Sequence, residues 1–174
     1  HLAKMCEDAG VMYLHENCMN YGGLSYEHTL KLMENIKSKA FRLIFDTGNP
    51  VAAYDRRAGL VNKRQSAWEF YKAVRSHIEY VHIKDGTFKS MPAENFYADV
   101  DWKYPGEGEG DVVRIIDDII ATGYDGGFSI EPHMALVFHD ASIKSPEAEM
   151  YRIYVEYGKR FMKMVENAKK KAGK

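Results

Sequence analysis

An α/β fold of the parallel (β/α)8-barrel type, of which this chain supplies about the last four βα units, is predicted by three observations. First, four apolar, β-branched or aromatic runs each stop at a side chain that can bind metal or carry a proton: Leu14-His15-Glu16-Asn17, Phe45-Asp46-Thr47-Gly48-Asn49, Val81-His82-Ile83-Lys84-Asp85 and Ser129-Ile130-Glu131-Pro132. Second, each run is followed by Gly-, Pro- or Asn-rich sequence and then by a stretch of helical period, the signature of a βα unit. Third, the units recur roughly every 30 to 50 residues, near the ~31 per unit of a barrel of about 250 residues. Four units make half a barrel. The other half is expected from a missing N-terminal portion or from a second copy of the chain, because a lone half would expose two strand edges and an apolar interior.

The elements follow in order. Leu2 to Ala9 has a helical pattern closed by Gly10, and Val11–Glu16 reads as a buried strand. Ser25 caps the next helix, with His28 where a capping box would place Glu, and Leu30, Met33 and Ile36 keep the helical period. Phe41–Asp46 is the second strand. A helix starting at Gln65 or Ser66 turns Trp68, Tyr71, Ala73 and Val74 inward and leads into Ile78–Lys84, the third strand. The segment from Gly86 to Gly110 exceeds an ordinary βα loop, and long ordered loops in compact domains usually carry function. Asp111 opens a helix with Val112, Ile115, Ile116, Ile119 and Ile120 on one face, Gly123 stops it, and Gly127–Glu131 is the fourth strand. Pro146 lies in the first turn of a last helix running toward Ala168, and residues 169–174 read as a flexible basic tail. All of 1–174 is expected to form a single domain.

The bulk composition restricts the function. With 174 residues, 45% hydrophobic and 28% charged, the chain suits one globular domain with a substantial core. Lys+Arg 24 against Asp+Glu 25 leaves a formal charge of -1 and no general pull toward nucleic acid or an anionic membrane. Cys6 and Cys18 make neither a metal pair nor a disulfide framework, which points to a reducing compartment, with the cytoplasm the default. No apolar run approaches the ~20 residues of a membrane span. The chain opens on His1 in what reads as the end of a helix, so a preceding segment, any targeting peptide included, is expected to be missing.

Strand alternation tests whether the polar strand ends can meet, since only residues of one parity point into a barrel. Met12, Leu14 and Glu16 share a face; so do Arg42, Ile44 and Asp46; Ile78, Tyr80, His82 and Lys84; and Gly127, Ser129 and Glu131. Glu16, Asp46, His82 and Glu131 are therefore candidate ligands of one divalent metal ion. Three carboxylates and one imidazole favour Mn²⁺, Mg²⁺ or Co²⁺ and also admit Zn²⁺. Such an ion can chelate the adjacent oxygens of a hydroxy-ketone or hydroxy-aldehyde, while Glu16 and Glu131, the catalytic candidates, remove and return a carbon-bound proton. Lys84 is placed to donate to a substrate oxygen.

These segments, with Pro105-Gly106-Glu107-Gly108-Glu109-Gly110-Asp111, resemble in order and over nearly the whole chain the C-terminal half of the xylose isomerase-like TIM-barrel superfamily of sugar isomerases, epimerases and dehydratases. The resemblance implies metal ligation by Glu16, Asp46, His82 and Glu131, and in the ketose epimerases an acid–base role for the first and last of these. It also touches zinc-dependent apurinic-site endonucleases, but the two extra histidines of their trinuclear centre are replaced here by Asn49 and Lys103. That argues for one metal and a sugar or polyol substrate. The rivals are a metal-dependent dehydratase of a keto-inositol or related polyol and a non-catalytic sugar-binding or interaction module.

The remaining polar residues are open. Asn49 either binds substrate or takes the left-handed turn conformation after Gly48; Lys84 either meets substrate or pairs with Asp85 or a neighbouring carboxylate. His133 and Lys103 are candidate substrate contacts. Gly106–Gly110 resembles a phosphate cradle, yet its two glutamates would repel phosphate, so it is expected to shape the pocket rim. Cys18 has no activator, with His15 on the opposite face. Tyr151, Tyr154, Tyr157 and Phe161 are expected to pack, with a subunit interface as one setting.

Overall fold

The computed structural model describes residues 1–91, 97–135 and 146–174. Its elements are α1 (Leu2–Ala9), β1 (Tyr13–Glu16), α2 (Tyr26–Ile36), β2 (Phe41–Asp46), α3 (Ala67–Val74), β3 (Ile78–Ile83), β4 (Asp85–Ser90), β5 (Asp99–Lys103), α4 (Val112–Ala121), β6 (Gly127–Ile130) and α5 (Pro146–Lys171). β1, β2, β3 and β6 form one parallel sheet in that order, and β4 and β5 form a separate antiparallel hairpin. The sheet is the expected run of βα units.

Local chemistry sets the boundaries. Gly10, at φ 67, ends α1, and Val11 N–H bonds back to Cys6 O. Val11 is thereby spent on closing the helix, so β1 starts at Tyr13 rather than at the expected Val11. Nor is β1 buried as expected: all four residues are half-exposed, because it is an outer strand of the sheet. Ser25 accepts His28 N–H at the start of α2 and Ser66 accepts Glu69 N–H at the start of α3, both ordinary N-caps. Asp111 precedes α4 as expected, but at φ 51 and without a side-chain cap bond. The expected strand-like reach of Lys84 stops one residue short, at Ile83.

The core lies between the sheet and its helices. Leu43, Phe45, Val81 and Ile83 from the strands pack with Phe70, Tyr71 and Val74 of α3, with Val112, Ile115, Ile116, Ile119 and Ile120 of α4, and with Tyr157 and Phe161 of α5. Trp68 and Ala73 only flank this cluster, and Phe70 takes the deeper place. A bulge between Leu43 and Ile44 pairs Leu43 with Ile78 and Ile44 with Tyr80. Ile78 therefore joins the helix-facing core instead of the interior set expected from strict alternation. Tyr151 and Tyr154 are exposed whereas Tyr157 and Phe161 are buried, so only half of that aromatic row packs within the chain.

Two segments depart from expectation. The long loop after β3 contains the β4–β5 hairpin, whose strand β5 alternates Asp99, Asp101 and Lys103 with Val100 and Trp102. Residues 169–171, expected as a tail, are the last turn of α5; Lys171 pairs with Asp117 at 2.7 Å and Lys174 Nζ donates to Ile120 O at 2.6 Å. Among the described residues no helix is long and apolar enough to cross a membrane.

Candidate metal centre

The carboxyl ends of the four parallel strands converge. Register places Glu16 beside Ile44, Asp46 beside His82, and His82 beside Ser129. Pairing continues past the strands: Thr47 N–H donates to His82 O at 3.1 Å and Glu131 N–H to Ile83 O at 2.9 Å. Between β1 and β2 a side chain does the same work. Asn17 Oδ1 accepts Asp46 N–H at 2.7 Å while its Nδ2 donates to Asp46 O at 3.1 Å, holding the β2 tip against β1.

Glu16, Asp46, His82 and Glu131 each offer one ligand atom, and these atoms all lie within 4.8 Å of one another. His82 Nδ1 is 2.7 Å from Glu131 Oε1 and 3.5 Å from Glu16 Oε1, so the two glutamates flank it. Asp46 is fully buried, and its Oδ1 is spent on the N–H groups of Gly48 (2.9 Å) and Asn49 (2.7 Å), leaving Oδ2 for the centre. Asp46 Oδ2 and His82 Nδ1 are buried without a partner in hydrogen-bond geometry. Their nearest opposite charges are Lys84 Nζ, 3.1 Å from Asp46 Oδ2, and Glu131 Oε1, 2.7 Å from His82 Nδ1, and a carboxylate–imidazole donor set converging on one point fits the expected divalent ion.

The electrostatics point the same way. Burial pushes Asp46 up to about 6 against the pull of Lys84. Hydrogen bonding to Glu131 and then Glu16 pushes His82 up to about 10. His133 and His82 hold Glu131 well below the usual carboxylate range. Three carboxylates thus gather around one imidazole and one ammonium, an excess of acidic groups that favours a cation.

Lys84 is buried and reaches Asp46 Oδ2 at 3.1 Å and Glu131 Oε2 at 3.0 Å, not Asp85. Burial opposes its charge, but Asp46 and Glu131 outweigh it and raise its pKa. Its stem runs over Gly48, where an added Cβ would lie 2.7 Å from Lys84 Cγ; the glycine of the second strand-end segment makes room for this lysine. Lys84 Nζ also donates to Asn49 Oδ1 at 3.1 Å, and Asn49 Nδ2 donates to Glu16 Oε1 at 3.0 Å. Asn49 is not left-handed; it is a buried link between Lys84 and Glu16.

Of the other expected contacts, His133 is 3.7 Å from Glu131 Oε2 and meets the Trp102 ring edge-on at 5.0 Å. Lys103 pairs with Asp101 on the hairpin and not with any of the four clustered residues. Strand alternation puts its neighbour Trp102 on the side of the centre instead, 5.7 Å under Lys84 Nζ. Tyr97, whose hydroxyl meets Asn49 Oδ1, was likewise missed. Only the alternation of β5 signalled Trp102 beforehand, and nothing in the sequence signalled Tyr97.

Gly106–Gly110 cradles an anion that the protein itself supplies. Asp85 Oδ1 accepts the N–H groups of Gly86 and Gly110, both at 2.9 Å, and Oδ2 those of Gly106 (2.8 Å) and Gly108 (3.0 Å). An added Cβ at Gly108 would lie 2.4 Å from Asp85 Oδ1, so this approach requires glycine. An internal carboxylate occupies the place a phosphate would take.

With four parallel strand tips gathered on one donor cluster, the family can be assigned. Residues 1–154 match the xylose isomerase-like TIM barrel family. The chain belongs to this family. No curated protein sequence matches it. Among solved structures it resembles a xylose isomerase-like TIM barrel protein from Mycobacterium smegmatis in complex with magnesium, at 17% identity and TM-score 0.66, over 96% of this chain and 48% of that one. It also resembles D-psicose 3-epimerase with D-tagatose from Clostridium cellulolyticum H10, at 16% identity and TM-score 0.60, over 94% and 53%. A probable 3-DHS dehydratase of petrobactin synthesis from Bacillus anthracis aligns at 17% identity and TM-score 0.52, over 86% and 53%. At such identities the likeness concerns the fold. The chain spans about half the length of the structures it matches.

Proposed function

We propose that this chain carries the metal site and the acid–base pair of a divalent-metal-dependent sugar isomerase or epimerase, in a barrel that further strands complete beyond β1 and β6. The observation that supports this most is the placement of Glu16 and Glu131 on either side of His82, with Asp46 completing the set. When bound there, a divalent cation would supply positive charge beside the two oxygens of a hydroxy-ketone or hydroxy-aldehyde, raising the acidity of the hydroxyl-bearing carbon next to the carbonyl.

The protein groups do the rest. One glutamate takes the carbon-bound proton from one face of the substrate and the other, protonated, delivers a proton to the opposite face. Asn49 orients Glu16, and Lys84 with His133 restrains Glu131. Lys84, expected to donate to a substrate oxygen, spends its three N–H donors on Asp46, Glu131 and Asn49, so its part here is to position those groups. The likeness to an epimerase that takes a ketose supports this reading, and the likeness to a dehydratase keeps the shared first step, proton abstraction, in both.

The test is solvent-deuterium uptake by a panel of ketoses and aldoses with the Mn²⁺-loaded protein, followed by mass spectrometry. Uptake without loss of water is expected, and Glu16→Gln or Glu131→Gln should abolish it with the circular dichroism spectrum unchanged. Uptake undiminished in either variant would remove the acid–base assignment, and loss of water would move the protein to the dehydratase class.

A further inference from the structure

A cavity of about 310 Å³ adjoins the metal centre over the loops that follow β1 and β2. Cys18, two residues past Glu16, and Tyr97, whose hydroxyl meets Asn49, form the wall it shares with the centre. Met19, Leu24, Ala53 and Tyr54 line the rest, with Asn20 and Arg56 among the polar contributors. The amide of Asn20 is already used, donating to Glu16 O at 3.0 Å and accepting Gly23 N–H at 3.2 Å. The Arg56 guanidinium lies over the Tyr54 ring, 5.9 Å from its centre. The hydroxyl of Tyr97 is taken by Asn49 and Tyr21 adds a further ring, so the lining is mostly a thiol, a thioether, aliphatic groups and rings, with the Arg56 guanidinium as its charged member.

A fully hydroxylated sugar chain placed here would give up water at several hydroxyls for few matching partners. An apolar group loses nothing of that kind and gains burial. At ~30 Å³ per water the volume corresponds to about ten waters, room for a phenyl ring or a short alkyl chain.

We infer that the substrate of this centre carries an apolar end, a deoxy, alkyl or aryl group remote from its hydroxy-carbonyl, which seats in the cavity bounded by Cys18, Leu24, Tyr54 and Tyr97. This rests on the metal-site reading above and adds a substrate class to it. Carbon acidity is handled at the four strand tips, and selectivity for the distal end at the β1 and β2 loops.

Two hydroxamate probes, which offer adjacent oxygens to a metal, separate the two ideas. Titration calorimetry on the Mn²⁺-loaded protein would compare acetohydroxamate with 4-phenylbutanohydroxamate. The phenyl probe should bind at least about tenfold more tightly. Leu24→Asp should erase that gain while leaving acetohydroxamate unchanged; Met19→Asp, at an exposed position that does not threaten folding, should reduce it. Equal affinity of the two probes, or a gain that survives both variants, overturns the apolar subsite while leaving the metal centre standing. Failure of acetohydroxamate itself to bind would overturn both.

Discussion

Replacing Asp85 with alanine removes the one acceptor shared by four backbone N–H groups, those of Gly86, Gly106, Gly108 and Gly110. Gly86 and Gly110 are buried, so their N–H groups are left with no replacement partner, at about 1–3 kcal/mol each. Gly106 is exposed and Gly108 half-exposed, and both regain water. Burial pushes the Asp85 carboxyl up in spite of its four donors, so its charge is costly to hold, and removing it returns part of that cost. The net loss is about 3 kcal/mol, which for a chain of this size lowers Tm by about 6–12 °C. Asp85→Asn keeps one acceptor oxygen for the buried pair and should lose about half as much. Urea unfolding followed by circular dichroism, with thermal melts alongside, measures both variants. An Asp85→Ala protein within about 1 kcal/mol of the parent would show that the glycine segment holds its shape without the carboxylate, refuting the role assigned to the cradle.

Three further outcomes are expected. Mn²⁺ at a hundredfold excess over its Kd should stabilise the fold by about 2.7 kcal/mol, raising Tm by about 5–10 °C; His82→Ala or Asp46→Asn should abolish the shift, and a melt indifferent to millimolar Mn²⁺ would count against the centre. Asn17→Ala removes both hydrogen bonds to the Asp46 backbone and should cost about 1–3 kcal/mol in urea unfolding while weakening Mn²⁺ binding measured by calorimetry; unchanged metal affinity would show that Asp46 needs no such brace. Burial, and then the charge of Arg42, lowers the pKa of His77 below 6.5, so the unfolded chain binds its proton first; the resulting stability is complete above pH 6.5 and falls as the pH drops below it. His82 and Asp46, both raised, act in the opposite sense, so the His77 part is read as a difference: between pH 7.5 and 5.5 the urea midpoint of His77→Asn should shift more favourably than that of the parent, and identical pH profiles would exclude His77 as a contributor.

The βα order and the four residues that cluster at the strand tips were legible in the chain because both depend on short-range pattern. Period-2 runs ending in Glu16, Asp46, His82 and Glu131, each followed by a helical period, required no knowledge of distant contacts. Ser25, Ser66 and Gly10 marked helix ends by their own backbone chemistry. The hairpin was overlooked because its two strands flank an unusual length of loop, although the alternation of Val100 and Trp102 with charged neighbours was visible in β5.

What the sequence by itself determined is which residues stand at the strand tips and which face of each strand they occupy, since side-chain period follows from backbone geometry alone. What only the tertiary structure decided is who meets whom between strands. It turned Ile78 to the helical side through a bulge, placed Lys84 on Asp46 and Glu131 rather than on Asp85, paired Lys103 with Asp101 while Trp102 took the position beside the centre, and filled the glycine cradle with Asp85. Apart from the local Lys103–Asp101 pair, these contacts depend on register and loop path between segments far apart in the chain, as from Asp85 to Gly106 and from Asp46 to Lys84, where local pattern carries no information about approach.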